Sequence, residues 1–372
     1  MITFITFVLV LGFLVLVHEL GHFITALKLG VDVEEFGIGF PPKIFSIKRK
    51  GITYSLNLIP LGGFVKIKGE NGDEDDHDPR SFANQKAWKR SLILSAGVFM
   101  NLVSAFILLT IGFYLGLPQA IDRETVAQNI EYKGVVIMEV MENSAADQNG
   151  LEMGDYILSI NDQEVGPAAN VYDTISLNIE ENKESIKLII ERRGEEKEFN
   201  IEPSIMQEGS QPIIGIGLID TGIVSYGFFG SIVHGFKMTI AMIKNVIIAL
   251  GLLLWNLIRG QGLTQELAGP VGVAIIAGQV AKMGWIYVLQ FAAILSINLG
   301  VINILPFPAL DGGRLLFVGL EKIRGKKMTP KTEAIIHNTG FLLLIALILV
   351  VTFRDIGKYG ANFLDNIKNI FS

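Results

Sequence analysis

The sequence predicts an α-helical polytopic membrane protein: four transmembrane helices, a membrane-associated β-hairpin and one small β-rich domain. Three observations carry that expectation. Half of the 372 residues are hydrophobic and only 18% are charged, against about 25% charged in a typical soluble domain. Four apolar stretches are long enough to span a bilayer, which takes about 20 residues. Charge is split along the chain. Residues 119–224 hold 7 basic and 21 acidic side chains, a net of −14, and the remainder holds 24 and 16, a net of +8. The chain has no cysteine, so any metal must be held by His, Asp or Glu.

The first span begins at Met1, with no charge before His18, and its apolar run reaches Leu29. A cleaved leader would carry a basic start and a small-residue cleavage site, both missing here. Leu92–Leu117, Trp285–Leu305 and Ala334–Phe353 are the other three spans. Ile232–Ile258 is apolar enough to insert, but Lys237, Lys244 and Asn245 interrupt it. It is expected to lie in the interface, its lysines reaching water. Eleven basic residues from Lys28 to Arg90 and six from Arg314 to Lys331 place those loops on the cytoplasmic side. The acidic segment then faces outward. The expected division is 1–118 (first half of the membrane core), 122–205 (external β domain), 206–283 (juxtamembrane helices) and 284–372 (second half of the core).

Ile52–Leu58 alternates apolar and polar residues, Pro60-Leu61-Gly62-Gly63 turns the chain, and Phe64–Ile67 alternates again, predicting a hairpin. Asp73–Asp78, with His77, reads as a solvated acidic loop. In the outer segment, Gly134–Val140, Tyr156–Ile160, Ile186–Glu191 and Glu198–Ile201 read as short strands of a domain under a hundred residues. The composition offers no basic, aromatic-studded surface for nucleic acid.

His18-Glu19-Leu20-Gly21-His22 carries the chemistry. Histidines four apart share a helix face, so both imidazoles can hold one ion, with Glu19 placed as general base. Ionisable groups inside an apolar span are costly and point to function. Five residues can also match by chance, or pack as a pair of core histidines. A hydrolytic zinc site needs a third protein ligand. Asp311 is the candidate, in Asn303-Ile-Leu-Pro-Phe-Pro-Ala-Leu-Asp-Gly-Gly313, where two prolines end the third span and two glycines turn the chain. On spacing alone Asp311 reads equally well as an ordinary turn residue. His234 and His337 have no partner at ligand spacing and read as interfacial or hydrogen-bonded side chains.

Together these motifs resemble the site-2 protease family of intramembrane zinc metalloproteases, in its bacterial RseP/RasP branch. Asn298-Leu-Gly-Val-Ile-Asn303 leading to Leu310-Asp311-Gly312, Ile59–Lys66, Gly69-Glu70, Asp78–Phe82 and Leu267–Gly272 match as well, so the resemblance runs nearly end to end. It implies one Zn2+ per chain on His18, His22 and Asp311, with Glu19 as base. It implies that Asn303 and Asn298 contact the substrate backbone, although interhelical hydrogen bonding would also explain them. Gly62 and Gly63 would sit in a hairpin that pairs with an unwound substrate. The outer domain resembles a single PDZ domain with a groove at Gly134, Val135, Val136 and Ile137. It departs from that pattern at Ser144-Ala145-Ala146 and Asn149-Gly150-Leu151, and the second span carries Val98 where relatives have proline. The implied partners are the lipid bilayer and single-pass membrane substrates such as anti-sigma factors or remnant signal peptides. The implied setting is the cytoplasmic (inner) membrane. A non-catalytic scaffold with a structural metal, or a zinc transporter, is the alternative. The first lacks a fourth protein ligand and the second lacks ionisable residues lining several spans.

Overall fold

The computed structural model describes residues 2–70, 78–121, 130–141, 144–165, 168–180, 185–192, 194–204, 213–260, 268–326 and 328–371, the last fourteen by backbone only. The acidic run 73–77 lies outside the described residues. Two compact units are present: Met1–Leu109 with Gly235–Gly278 and Gln290–Ser372, and Thr110–His234 with Gln279–Leu289.

The first unit is built on α1 (Ile2–Lys28) and α2 (Ala87–Leu115). Gly21 and Gly97 let their backbones meet: a Cβ on Gly21 would overlap the Ala96 carbonyl oxygen. Small residues at such a crossing are how membrane helices approach closely. Near the α1 end, Ala26, Val31, Ile67, Phe82, Ile93 and Val318 form a buried apolar cluster. Beside it Arg90 pairs with Glu321 at 2.6 Å, both side chains below a tenth exposed. A charge buried that deeply needs its partner.

Between α1 and α2 lie two long strands, β1 (Val33–Arg49) and β2 (Ile52–Ile67), joined at Lys50-Gly51. Their pairing corrects the expected hairpin. Residues 43–49 run antiparallel to 52–57, but Glu35–Ile38 lies between the two arms of β2. Its partners rise with Thr53–Leu56 on one side and fall with Lys66–Gly63 on the other. The chain does reverse at Pro60–Gly62, yet the arms flank β1 instead of each other. Pro41-Pro42 lacks two ladder donors and divides β1 into the halves that make this possible. Gly62 holds φ +102° with its backbone against Val15 of α1. Ile44, Phe45, Ile47 and Leu58 are exposed on this element.

The second unit holds a seven-stranded sheet ordered β3 (Leu117–Ala120), β9 (Ile216–Val224), β4 (Ile130–Val140), β5 (Tyr156–Ile160), β7 (Ile186–Arg192) and β8 (Glu195–Ile201), with β6 (Gln163–Glu164) on β5. The short α3 (Ala145–Gln148) is capped by Ser144, and α4 (Ala168–Glu180) buries Val171 and Ile175 in the core. The sheet takes in β3 and β9, on either side of the expected 122–205, because β9 inserts between β3 and β4. Asp155 is fully buried and answered by a two-pronged bond from Arg192, 2.6 and 2.7 Å. That carboxylate raises the Arg192 guanidinium above its usual range.

Then follow α5 (Phe228–Ile258), α6 (Pro270–Met283), α7 (Trp285–Asn303), α8 (Asp311–Arg324) and α9 (Pro330–Phe371). Asp355 of α9 is buried and accepts from the Gly272 N–H at 2.8 Å. It thus satisfies a free donor in the first turn of α6 and faces its positive end. Among the described residues five helices are long and apolar enough to cross a membrane: α1, α2, α5, α7 and 331–357 of α9. By length and composition alone α5 thus qualifies beside the four stretches read from the sequence. His234, at its start, stacks on Tyr226 with ring centroids 3.7 Å apart.

Candidate metal centre and active site

His18 and His22 stand one turn apart on α1, both buried. Their Nε2 atoms lie 3.2 Å from each other. Asp311 Oδ2 completes the triangle at 3.0 Å from His18 and 3.4 Å from His22. Tetrahedral zinc with bonds of about 2.0–2.1 Å would hold its ligand atoms about 3.3 Å apart. The donor set fits zinc on a second count. Among the described residues the buried Asp311 Oδ2 has only the two imidazoles beside it, and a buried carboxylate oxygen so placed suits a shared cation.

The surroundings fix each ligand. His22 Nδ1 donates to the Ile93 carbonyl at 2.8 Å, which leaves Nε2 as the lone-pair nitrogen. His18 Nδ1 faces the Asn101 side-chain amide at 3.2 Å. Asn101 is fully buried, and its backbone carbonyl accepts from Ser296 Oγ at 2.8 Å, tying α7 to the same point. Such outer partners orient metal-binding imidazoles. Sequence reasoning placed no role on Asn101, since its partner is 83 residues away. The backbone of Gly97 lies directly against both imidazoles: a Cβ there would overlap His22 Nε2 and come within 2.8 Å of His18 Nε2.

Asp311 is the first residue of α8, where the helix dipole favours a carboxylate. The approach to it is compact. A Cβ on Gly312 would overlap the Ile304 and Leu305 carbonyl oxygens, and one on Gly313 the Phe307 carbonyl. Arg314, one turn along, ion-pairs with Glu70, which accounts for the Gly69-Glu70 signal. Glu19 Oε2 accepts from the Val65 N–H at 3.0 Å. The outer arm of β2 therefore runs past Glu19, with Gly62 and Gly63 just before it.

Asn303, the last residue of α7, shares a helix face with Ser296, seven positions earlier. Asn298 lies two positions from Ser296, about 200° around, on the opposite face. In the second unit, Gly134–Ile137 has no free edge. β4 is paired with β9 on one side and, at Val135 and Val136, with β5 on the other. Val135, Val136 and Ile137 are core residues. Among the described residues β9 is paired at 216–219 with β4 alone, with α4 beside it. There the Leu218 N–H donates to the Tyr172 hydroxyl at 2.7 Å.

Residues 6–347 match the model of peptidase family M50, and the chain belongs to that family of zinc metalloproteases, the site-2 proteases. It is 31% identical to the zinc metalloprotease RasP of Geobacillus kaustophilus, over 95% of this chain and 98% of that one. It is 29% identical to the regulator of sigma-W protease RasP of Bacillus subtilis, over 96% and 98%. A solved PDZ domain of an SdrC-like protein from Listeria monocytogenes aligns with 25% of this chain and 92% of its own, at 22% identity and a TM-score of 0.20.

Replacing Gly97 with alanine tests the metal centre without removing a ligand. Alanine keeps α2 helical, and the helix content and thermal stability of the variant are measured alongside to show that the crossing survives. Zinc affinity, measured by chelator competition, is expected to fall on the order of ten- to a hundredfold, the range seen when the shell around a metal is disturbed. Parental affinity would show that the backbone does not press on the ligands.

Proposed function

We propose that the chain hydrolyses peptide bonds within or beside the membrane-spanning segments of single-pass proteins, using one zinc ion on His18, His22 and Asp311. The observation that carries the reading is the convergence of those three ligand atoms in an apolar helical core, with Glu19 adjoining the first. Bound zinc supplies a Lewis acid that polarises the scissile carbonyl and makes water acidic enough to lose a proton near neutral pH. Glu19 accepts that proton on Oε1, since Oε2 is engaged by Val65, and returns it to the departing amide nitrogen. Asn303 on the Ser296 face holds the substrate backbone. The 63–67 arm of β2 offers an edge to which an extended substrate adds as a strand, which exposes a peptide bond that helical turns would shield. Family resemblance makes anti-sigma factors and remnant signal peptides the substrate classes. Glu19→Gln is expected to retain zinc and lose on the order of 10²–10⁴ in cleavage rate. His18→Ala, His22→Ala and Asp311→Ala are expected to lose both. Zinc content and cleavage of a model substrate, measured together, decide it. An active Asp311→Ala protein would remove the third ligand from the scheme.

The same site orients the chain. His18 lies towards the end of α1 and Asp311 just past α7, so a shared depth requires both helices to run the same way, from outside to inside. The segment between α2 and α7 then makes an even number of crossings. We place α5 in the outer interface, with exposed Lys237 and Lys244 reaching water. The chain has no cysteine, so Phe229→Cys and Arg259→Cys, both at exposed positions near the helix ends, can be labelled singly. Both are expected to react with an impermeant thiol reagent added from outside. Reaction of one alone would mean that α5 crosses.

The β domain is read as an external PDZ module that screens substrates by the bulk of their outer domains. Supporting this, it is fastened to the end of α6 and the first turn of α7. The Tyr156 and Tyr287 hydroxyls meet at 2.8 Å, Glu152 pairs with Lys282 at 3.0 Å, and Met283 packs on Gly154. Leu117 and Val224 are cross-strand partners, so a short Gly/Ser link can replace the residues between them. The shortened protein is expected to cut substrates whose intact outer domains protect them from the parent. If it folds and cuts fewer substrates, the module recruits instead.

A further inference from the structure

The segment that delivers Asp311 depends on one side chain outside the ligand set. Ala309, two residues before it, adopts φ +82°, a left-handed backbone that costs an alanine free energy and needs an outside constraint to persist. The constraint comes from α9. The Ala309 N–H donates to His337 Nδ1 at 3.0 Å. His337 Nε2 is buried with no hydrogen bond, so among the described residues that bond is the ring's one polar engagement. The imidazole is set against Phe317 of α8, centroids 5.3 Å apart and planes at 89°. Gly340, three residues on, brings the α9 backbone onto the same segment: a Cβ there would come within 2.6 Å of the Pro308 carbonyl oxygen. Phe317 and Asp311 belong to one helix, so His337 bridges the loop that leads into α8 and the body of α8 itself.

We infer that His337 is a positioning residue for zinc binding: by accepting from Ala309 it locks the turn that presents Asp311 to His18 and His22. The inference rests on Asp311 being the third ligand. An acceptor at the Nδ1 position is what the turn requires. Asparagine places its amide oxygen close to that position, glutamine places it near Nε2, and leucine fills the space with no acceptor.

Zinc affinity of the full chain in detergent or nanodiscs, measured by competition with a chromophoric chelator, separates these cases. His337→Asn is expected to bind zinc as the parent does. His337→Gln and His337→Leu are expected to bind it about tenfold more weakly, the lower bound for losing an outer partner of a metal ligand. The Asn–Gln pair keeps the test decisive should the leucine variant fail to fold. Asp311→Ala serves as the control. If it loses zinc while all three His337 variants match the parent, or if Asn is as weak as Gln, the positioning role is overturned. If Asp311→Ala itself binds zinc normally, the ligand assignment fails, and that outcome is distinct from the others.

Discussion

Two imidazole nitrogens 3.2 Å apart, with a carboxylate oxygen within 3.4 Å of both, form the arrangement on which the proposed metal centre and the packing around it depend. Three polar atoms share that space in a medium that offers little solvation. A divalent cation turns the same geometry from a cost into a bonded centre. Much of the first unit follows from bringing α1, α2 and the start of α8 close enough for this. Gly21 and Gly97 remove the side chains that would hold α1 and α2 apart, and Gly312 and Gly313 do the same where the chain folds back onto α8. Each glycine gives up packing area, a loss consistent with a metal centre that repays it.

The outer partners show how the same crossing serves orientation. His22 reaches the Ile93 carbonyl and His18 the Asn101 amide because α2 passes so near α1. A helix carbonyl can accept a second bond only where a neighbour comes this close. The Ser296 bond to the Asn101 carbonyl extends the arrangement to α7, so three helices share a few ångströms around one imidazole. In hydrocarbon such bonds have little water to compete with, and their geometry is held accordingly.

What the sequence made legible was local. The HExxH spacing needs only a helix, and Pro306, Pro308 and the glycine pair around Asp311 announce a chain that stops and turns. Apolar length located the spans. Features formed by distant segments were not legible. Alternation in Ile52–Ile67 marks strand and turn, but nothing within it says that residues 35–38 would come to lie between its arms. The apolar run Gly134–Ile137 reads the same in a central strand as at an edge, and here it is central. Asn101 and His337 gain their meaning from partners 83 and 28 positions away. A lone polar residue in an apolar helix carries no mark of where its partner is.

Buried charge is handled differently at Asp311 and at three other carboxylates. Glu321 is answered by Arg90, Asp155 by both prongs of Arg192, and Asp355 by a main-chain donor at a helix start. In each case the chain supplies the compensating group, as burial of an ionised carboxylate demands. Asp311 breaks that pattern. One of its oxygens is buried beside two imidazole nitrogens, although Arg314 stands one turn away and is directed to Glu70. Among the described residues Glu321, Asp155 and Asp355 are answered by the chain's own groups and Arg314 is directed to Glu70, while Asp311 Oδ2 is given two imidazoles, the neighbours that the proposed metal centre requires.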